Sequence, residues 1–201
     1  MKTRQRILKT ALTLFNKMGE SNISTVDIAT EMSISPGNLY YHFRNKDEII
    51  LSLVSELEEH LKEILEALAL SLVDLLEDDT ILTALLELTW RFRTLYRDTH
   101  SITSRNKEAL KRLSRLMQNK EIVFTHLLQK YNEEEILLIP PTYIECVAQQ
   151  LLILSCGWFF WLNYDQTQEA TEDQLQKACK QIRAVLLPWL NDENWNQTQK
   201  I

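Results

Sequence analysis

The chain of 201 residues holds only three glycines, four prolines and three cysteines. Each shortage excludes something. Turn-rich β architectures and phosphate-cradling loops need glycine at positive φ, and Gly19, Gly37 and Gly157 stand too far apart to build either. Cys146, Cys156 and Cys179 are odd in number and follow no CxxC or Cys/His spacing, which argues against a disulfide framework and a zinc site and fits a reducing cytoplasm. The histidines at 42, 60, 100 and 126 are scattered, and no Ser/His/Asp, Cys/His or paired-carboxylate arrangement stands out. Catalysis, metals and cofactors are therefore not expected. The N-terminal apolar residues are interrupted by polar ones, unlike a signal-peptide core. The uncharged run from Cys146 to Tyr164 is broken by Gln149, Gln150, Ser155 and Asn163, so a buried helix is expected there and no membrane partner.

What is present is helical periodicity. Hydrophobic residues make up 45% of the chain and recur three and four apart almost throughout, which predicts an all-α fold. Helix one is expected from Thr3 to Met18, with Ile7, Leu8, Ala11, Leu12 and Phe15 inward and Gly19 as terminator. Ser24 and Asp27 form a capping box for a short helix reaching about Met32, with Ile23 at the staple position. After a break at Ser33-Ile34, Ser35 is placed to cap and Pro36 to open a second short helix, with Leu39 and Phe43 inward. Two short helices joined this tightly make a helix-turn-helix. A long helix follows from Lys46, and others are expected near Thr80 to Arg97, Asn106 to Tyr131, Pro141 to Asn163 and Thr171 to Leu190. The domain division is placed at 1–48 and 49–201.

A formal net charge of −6 disfavours a polyanionic partner until it is divided by region. Residues 1–48 carry seven Lys/Arg against five Asp/Glu, and the remainder fifteen against twenty-three, so the head is +2 and the body −8. A second basic concentration runs from Arg91 to Lys120.

The helix-turn-helix segment is the informative part. Ser24, Thr25, Ile28, Ala29, Ser35, Gly37, Leu39, Tyr40, Tyr41, His42, Phe43 and Lys46 fall in the pattern ST..IA….S.G.LYYHF..K. Over about residues 3–55 the sequence resembles the N-terminal DNA-binding domain of the TetR family of transcriptional regulators. Ser33 departs from the family's usual turn glycine; serine can occupy a left-handed-like turn at some cost, so a slightly altered turn with function kept is expected. Read physically, Ser24, Thr25 and Ser35 sit at helix starts where a phosphate oxygen is favoured, although plain capping explains Ser24 and Ser35 equally. Pro36 and Gly37 open the second helix, and Gly37 admits a close backbone. Asn38, Tyr41 and His42 lie outward, and Asn38 and Tyr41, with Gly37 as a third candidate, are able to reach base edges. Tyr40 offers its hydroxyl to phosphate or packs as core. Lys46 opens the next helix against the local dipole, a position that phosphate would compensate. Lys2, Arg4 and Arg6 are candidates for flexible contacts.

One short helix reads few bases, so a homodimer on a palindromic operator in double-stranded DNA is expected, with heads about 34–36 Å apart. Leu151, Leu152, Trp158, Phe159, Trp161 and Leu162 are candidates for the dimer interface, since the resembled family pairs its last two helices as a four-helix bundle; monomer core is the alternative. That family also commonly holds a small ligand among its middle helices. Trp90, Phe92, Arg93, Tyr96 and Arg97 are candidates for a pocket taking a small apolar or amphipathic molecule, against the alternative of core aromatics and ion-paired arginines. The resemblance thus implies a cytoplasmic regulator, a repressor released by ligand. Two competitors are a ligand-free DNA-binding adaptor that recruits another protein, and a small all-α enzyme or lipid carrier.

Overall fold

A computed structural model of the chain describes residues 3–70, 79–160 and 170–191. Those residues form helices and short 3-10 turns, with one isolated antiparallel bridge between Leu137 and Leu190. They pack as two compact units. The first draws on Met1–His60 and Arg91–Arg115, the second on Leu61–Trp90, Leu116–Asp165 and the residues from Glu169 onward. The first unit therefore takes in a segment, 91–115, that a division at residue 48 assigns to the body.

In the first unit, α1 (Thr3–Met18) buries Ile7, Leu8, Ala11, Leu12 and Phe15, the stripe its periodicity predicts. Each of the larger ones, the Ile, Leu and Phe side chains, contributes on the order of 1.5–3 kcal/mol when removed from water. Gly19 ends the helix at φ +88, where its amide reaches the Phe15 carbonyl at 2.9 Å. Ser24 then caps α2 (Thr25–Glu31) with a complete capping box, its hydroxyl accepting from the Asp27 amide while Asp27 accepts from the Ser24 amide. The turn after α2 is a Schellman motif, with Ser33 N bonded to Thr30 O and Ile34 N to Ala29 O, each at 3.0 Å. Ser33 occupies its left-handed position at φ 54, so the turn keeps the regular form that glycine would give rather than the slightly altered one expected. Ser35 caps α3 (Pro36–His42) by accepting from the Asn38 amide, with proline in the first turn. Leu39 and Phe43 are fully buried.

The long helix α4 (Lys46–Leu70) begins where the Asn45 side chain accepts from the Glu48 amide. The single helix predicted over Thr80 to Arg97 is divided into α5 (Thr80–Arg91) and α6 (Arg93–Arg97), and α7 (Thr99–Arg105) follows. The breaks fall at Phe92 and Asp98. Both residues serve other parts of the first unit: Phe92 is fully buried, and the Asp98 carboxylate accepts from the Glu20 amide and the Thr94 hydroxyl. Tertiary demands override a continuous apolar period here. The remaining long helices are α8 (Lys107–Glu133), α9 (Ile144–Gly157) and α10 (Glu172–Leu186).

In the second unit α9 packs on α10. Thr171 and Gln174 form a capping box for α10, which buries Leu175, Ala178, Cys179, Ile182 and Leu186. Pro140 stands extended at ψ 138 before Pro141, and a 3-10 turn leads into α9. Pro141–Phe160 has the length and hydropathy of a membrane span, but α9 itself is only 14 residues, short of the roughly 20 that a bilayer core requires.

Candidate nucleic-acid interface

The outward surface of α3 is set by what anchors its other side. Leu39 and Phe43 hold the helix inward, and Asn38 and Tyr41, three apart, are left on the solvent side with Pro36 and Gly37. Tyr41 is 85% exposed and stands edge-on to the half-buried His42, ring centroids 5.1 Å apart. An aromatic side chain this exposed has no packing role in its own chain. A methyl group built at Gly37 would meet nothing nearer than the Ser35 Oγ at 3.9 Å. The fold itself therefore does not require glycine there, and the open space lies on the same surface as Asn38 and Tyr41.

Beside α3 the surface forms a notch of about 370 Å³, lined among others by Ser24, Thr25, Tyr40, Arg44, Asn45 and Lys46. The Thr25 and Tyr40 hydroxyls hydrogen-bond each other at 2.9 Å. Whichever donates, the other keeps its hydrogen for an outside acceptor. Arg44 is exposed and contributes a cation that the sequence reading did not single out. Its only signal in the sequence is a basic residue directly after Phe43.

Three positions behave differently from expectation. Lys46 does not hold its ammonium ready for phosphate: the nitrogen donates to the carbonyls of Glu20 at 3.0 Å and Ile23 at 2.9 Å and pairs with the Glu20 carboxylate at 2.9 Å. The charge opposing the helix dipole is compensated within the fold. Ser24 is occupied too, because its hydroxyl donates to Asp27 at 2.6 Å and its amide does so at 2.8 Å. Those two bonds, hydroxyl first, hold the Asp27 carboxyl below its usual value. The Arg4 guanidinium carbon lies over the Phe43 ring, 4.7 Å from its centroid, and the group donates to the Ser52 hydroxyl at 2.8 Å, so it is no loose arm. Lys2 lies outside the described residues.

Glu20 is the centre of a polar cluster that sequence reasoning missed. It is fully buried, pairs with Lys46 and Arg105, and Arg105 also bonds Asp47 at 3.0 Å. Arg97 donates to the Phe15 carbonyl at 2.8 Å and the Asn16 carbonyl at 3.0 Å, closing the C-terminal end of α1, and it pairs with Asp98 at 2.9 Å. Asn16 in turn bonds the Thr94 amide and the Arg91 carbonyl. Burial would raise the Asp98 carboxyl, but the bonds from Arg97, the Glu20 amide and Thr94 outweigh it, and the net shift is downward. The segment 91–105 is thus bolted to the reading head by charged hydrogen bonds. Partners 26 and 85 residues from Glu20 leave no local signal.

The same contacts correct the pocket assignment for Arg97, whose guanidinium serves α1 and Asp98, and for Phe92, which is core. Arg93 is 8% exposed, and burial, then Arg97, push it down to about 10. Tyr96 is half-exposed, and Trp90, in the second unit, is buried against Trp158 with centroids 5.6 Å apart. The interface candidates are corrected likewise. Leu151, Trp158 and Phe159 are buried within their own chain and Leu152 is half-buried, so monomer core describes the first three; Trp161 and Leu162 lie outside the described residues. Among the described residues of α9 and the 3-10 turn after it, the large apolar side chains that face outward are Ile153, 68% exposed, and Phe160, 46% exposed.

With this geometry in view, the comparisons with known proteins agree on one class: a helix-turn-helix reading head carried by a helical body. Residues 7–53 match the model of the bacterial regulatory proteins of the tetR family, and residues 55–197 match the TetR model described as a bacterial transcriptional repressor. The chain belongs to the TetR family and is a DNA-binding transcriptional regulator. It is 26% identical over 191 residues to the negative transcriptional regulator IcaR of the biofilm operon icaADBC in Staphylococcus epidermidis, spanning 91% of this chain and 96% of that one. A match of 41% to the Bacillus subtilis regulator YerO is confined to 49 residues, 24% of this chain and 17% of that protein. The crystal structure of a TetR-family regulator from Marinobacter aquaeolei superimposes with a TM-score of 0.87 at 27% identity, over 100% of this chain and 97% of that one. The SmeT–triclosan complex shares the fold, at a TM-score of 0.61 and 16% identity over 94% and 92% of the two chains.

Proposed function

We propose that the protein is a cytoplasmic homodimeric repressor that reads a palindromic operator through α3 and leaves it when a small apolar or amphipathic molecule binds the body. The observation that carries the reading is the exposed surface of α3, where Tyr41 and Asn38 project beside an unobstructed Gly37. Asn38 and Tyr41 contact base edges in the major groove. Gly37 and Pro36 lie against the sugar-phosphate backbone, with His42 beside the groove behind Tyr41. Ser35, Thr25, Tyr40 and Arg44 bind phosphates, the last three from the notch. Lys46 and Ser24 support these groups from within the fold rather than touching DNA.

Repression is the sense of control named for the full-length relative IcaR, and binding of a small apolar compound has a counterpart in the SmeT–triclosan complex. A dimer surface is proposed along one stripe of α9, where Cys146, Gln150 and Ile153 recur at helical spacing and are exposed, extended by the exposed Phe160 of the 3-10 turn that follows. The test is capture of bound genomic fragments by the purified protein, followed by anisotropy titrations on the recovered duplex with wild type and Tyr41→Ala. Site-selective binding that Tyr41→Ala weakens and makes less selective supports the assignment. Equal affinity for all fragments, or an unaffected variant, overturns it.

A further inference from the structure

Trp158 opens the 3-10 turn (Trp158–Phe160) that follows α9, and it is the largest fully buried side chain among the described residues, 1% exposed. Its ring stands in a triangle with two others of the second unit. The Trp90 ring of α5 lies 5.6 Å away between centroids, and the Phe159 ring lies 6.3 Å from both. Phe159 meets Trp158 and Trp90 edge-on, at 80° and 76°. Ring packing of this kind engages the indole's apolar surface and leaves its one polar group unserved. The indole nitrogen is sealed from solvent and finds no hydrogen-bond acceptor among the described residues. Buried tryptophans ordinarily pair this group, and a donor left bare costs free energy that an all-carbon ring in the same cluster would not incur. Indole offers a single N–H and no acceptor, so only an acceptor brought to it satisfies it.

We propose that the Trp158 N–H is the donor that recognises the small molecule of the body, and that this molecule is an uncharged aromatic compound carrying a carbonyl or ether oxygen. The inference rests on the reading that the body binds a small molecule, and adds where it binds and by what chemistry. Trp90 and Phe159 supply the apolar aromatic walls, and the single N–H fixes one acceptor oxygen between them. The ligand is uncharged because two indoles and a phenyl ring hold no counter-charge for a buried carboxylate, and the buried Lys120 ammonium is committed to the Cys156 sulfur at 3.2 Å. The 3-10 turn that carries Trp158 has poorer hydrogen-bond geometry than the α-helix before it, so this is where the end of α9 opens at least cost. In the free protein the three rings close on one another. The ligand parts Phe159 from the triangle and gains a hydrogen bond that the free protein lacks.

The experiment uses two neutral probes of nearly equal shape, methyl naphthyl ketone and isopropenylnaphthalene, which carry an oxygen or a methylene group at the same place. Binding of each to the full-length protein is measured by equilibrium dialysis without DNA, and the indole N–H signals of the five tryptophans are followed in proton–nitrogen correlation spectra. The ketone should bind about tenfold more tightly than the alkene, the worth of one hydrogen bond to a buried donor, and should move the Trp158 indole proton downfield where the alkene does not. Trp158→Phe keeps a ring and removes the donor, so it should bring the ketone down to the affinity of the alkene. Equal binding of the two probes, an unmoved Trp158 signal, or a Trp158→Phe variant that keeps the preference overturns the proposal, as does binding of neither probe. If Trp158→Phe does not fold, the wild-type affinity ratio and signal decide by themselves. The reading that the body binds a small molecule is tested apart from this, by whether an organic extract of the producing cells releases a captured operator fragment, so the two failures are told apart.

Discussion

Substituting Gly37 by alanine separates what the fold needs from what DNA needs. In the free protein the added methyl has 3.9 Å to its nearest neighbour, the Ser35 Oγ, which is ordinary contact distance, and no unusual backbone angle is involved. Alanine is a better helix former than glycine by roughly 0.5–1 kcal/mol, with less of that realised in the first turn of a seven-residue helix. Thermal unfolding should therefore be unchanged or shifted upward by about 1–4 °C. On duplex DNA the same methyl would enter the gap between the start of α3 and the sugar-phosphate backbone. Overpacking a close contact costs about 1–3 kcal/mol, which corresponds to a loss of affinity of roughly 5- to 150-fold. The assay pairs a thermal melt with an anisotropy titration on a captured operator fragment. Opposite signs in the two measurements support the close approach at Gly37. Wild-type affinity in a variant of equal or greater stability would refute it, because the space would then face only solvent.

Other outcomes follow from the same geometry. Tyr41→Ala should leave the melting temperature within about 1–2 °C of wild type, since exposed substitutions usually fall within about 0.5 kcal/mol, while reducing selectivity for the operator over random duplex. Lys46→Ala, in contrast, should destabilise the protein by roughly 2–4 kcal/mol in a urea titration, because it leaves the buried Glu20 carboxylate with Arg105 as its remaining charged partner; an unchanged midpoint would show the pair to be incidental. Ser33→Gly should raise stability by about 1 kcal/mol, relieving a side chain held at φ 54 without altering the turn. The lowered carboxyls of Asp98 and Glu58, the latter held down first by its hydrogen bond to Arg112, give a defined acid response. A carboxyl depressed in the folded state contributes stability that is complete above its unfolded value, about 4, and is lost as pH falls through the folded value. Urea midpoints should hold between about pH 7 and 5 and fall below about 4, and Asp98→Asn should flatten that fall.

Local rules carried most of the reading head. The capping box at Ser24, the terminator at Gly19, the left-handed Ser33 and the cap and proline at Ser35-Pro36 each involve residues within about four positions of one another, so the sequence states them directly. The failures came from partners far apart in the chain. Lys46 read as a phosphate ligand because nothing near it compensates its charge, yet Glu20 lies 26 residues earlier and is buried. Arg97 read as a pocket cation because its partners at Phe15 and Asn16 are more than 80 residues away. Trp158 and Phe159 read as surface because one helix holds more apolar area than it can bury alone, and Trp90 supplies the missing neighbour in the same unit.

These misreadings share a physical origin, and it bears on how the head is held. A charged residue with no local partner has either a distant one or an external ligand, and periodicity cannot distinguish the two. Here the distant partners win repeatedly. Glu20 gathers Lys46 and Arg105, Glu58 gathers Arg112 and Arg115, and Asp98, besides its neighbour Arg97, accepts from the distant Glu20 amide. Arginines that looked like a second basic surface between Arg91 and Lys120 are largely neutralised against carboxylates of the first unit. Among the described residues of the head, the exposed cations outside these clusters are Arg6, Lys9, Lys17 and Arg44, a modest number for a polyanionic partner. Affinity for arbitrary DNA should be correspondingly weak and its salt dependence shallow, since each released counterion requires a phosphate contact made by a cation. Selectivity must then rest on the uncharged groups of α3, and it is there that the chain leaves Tyr41 exposed and Gly37 without a side chain.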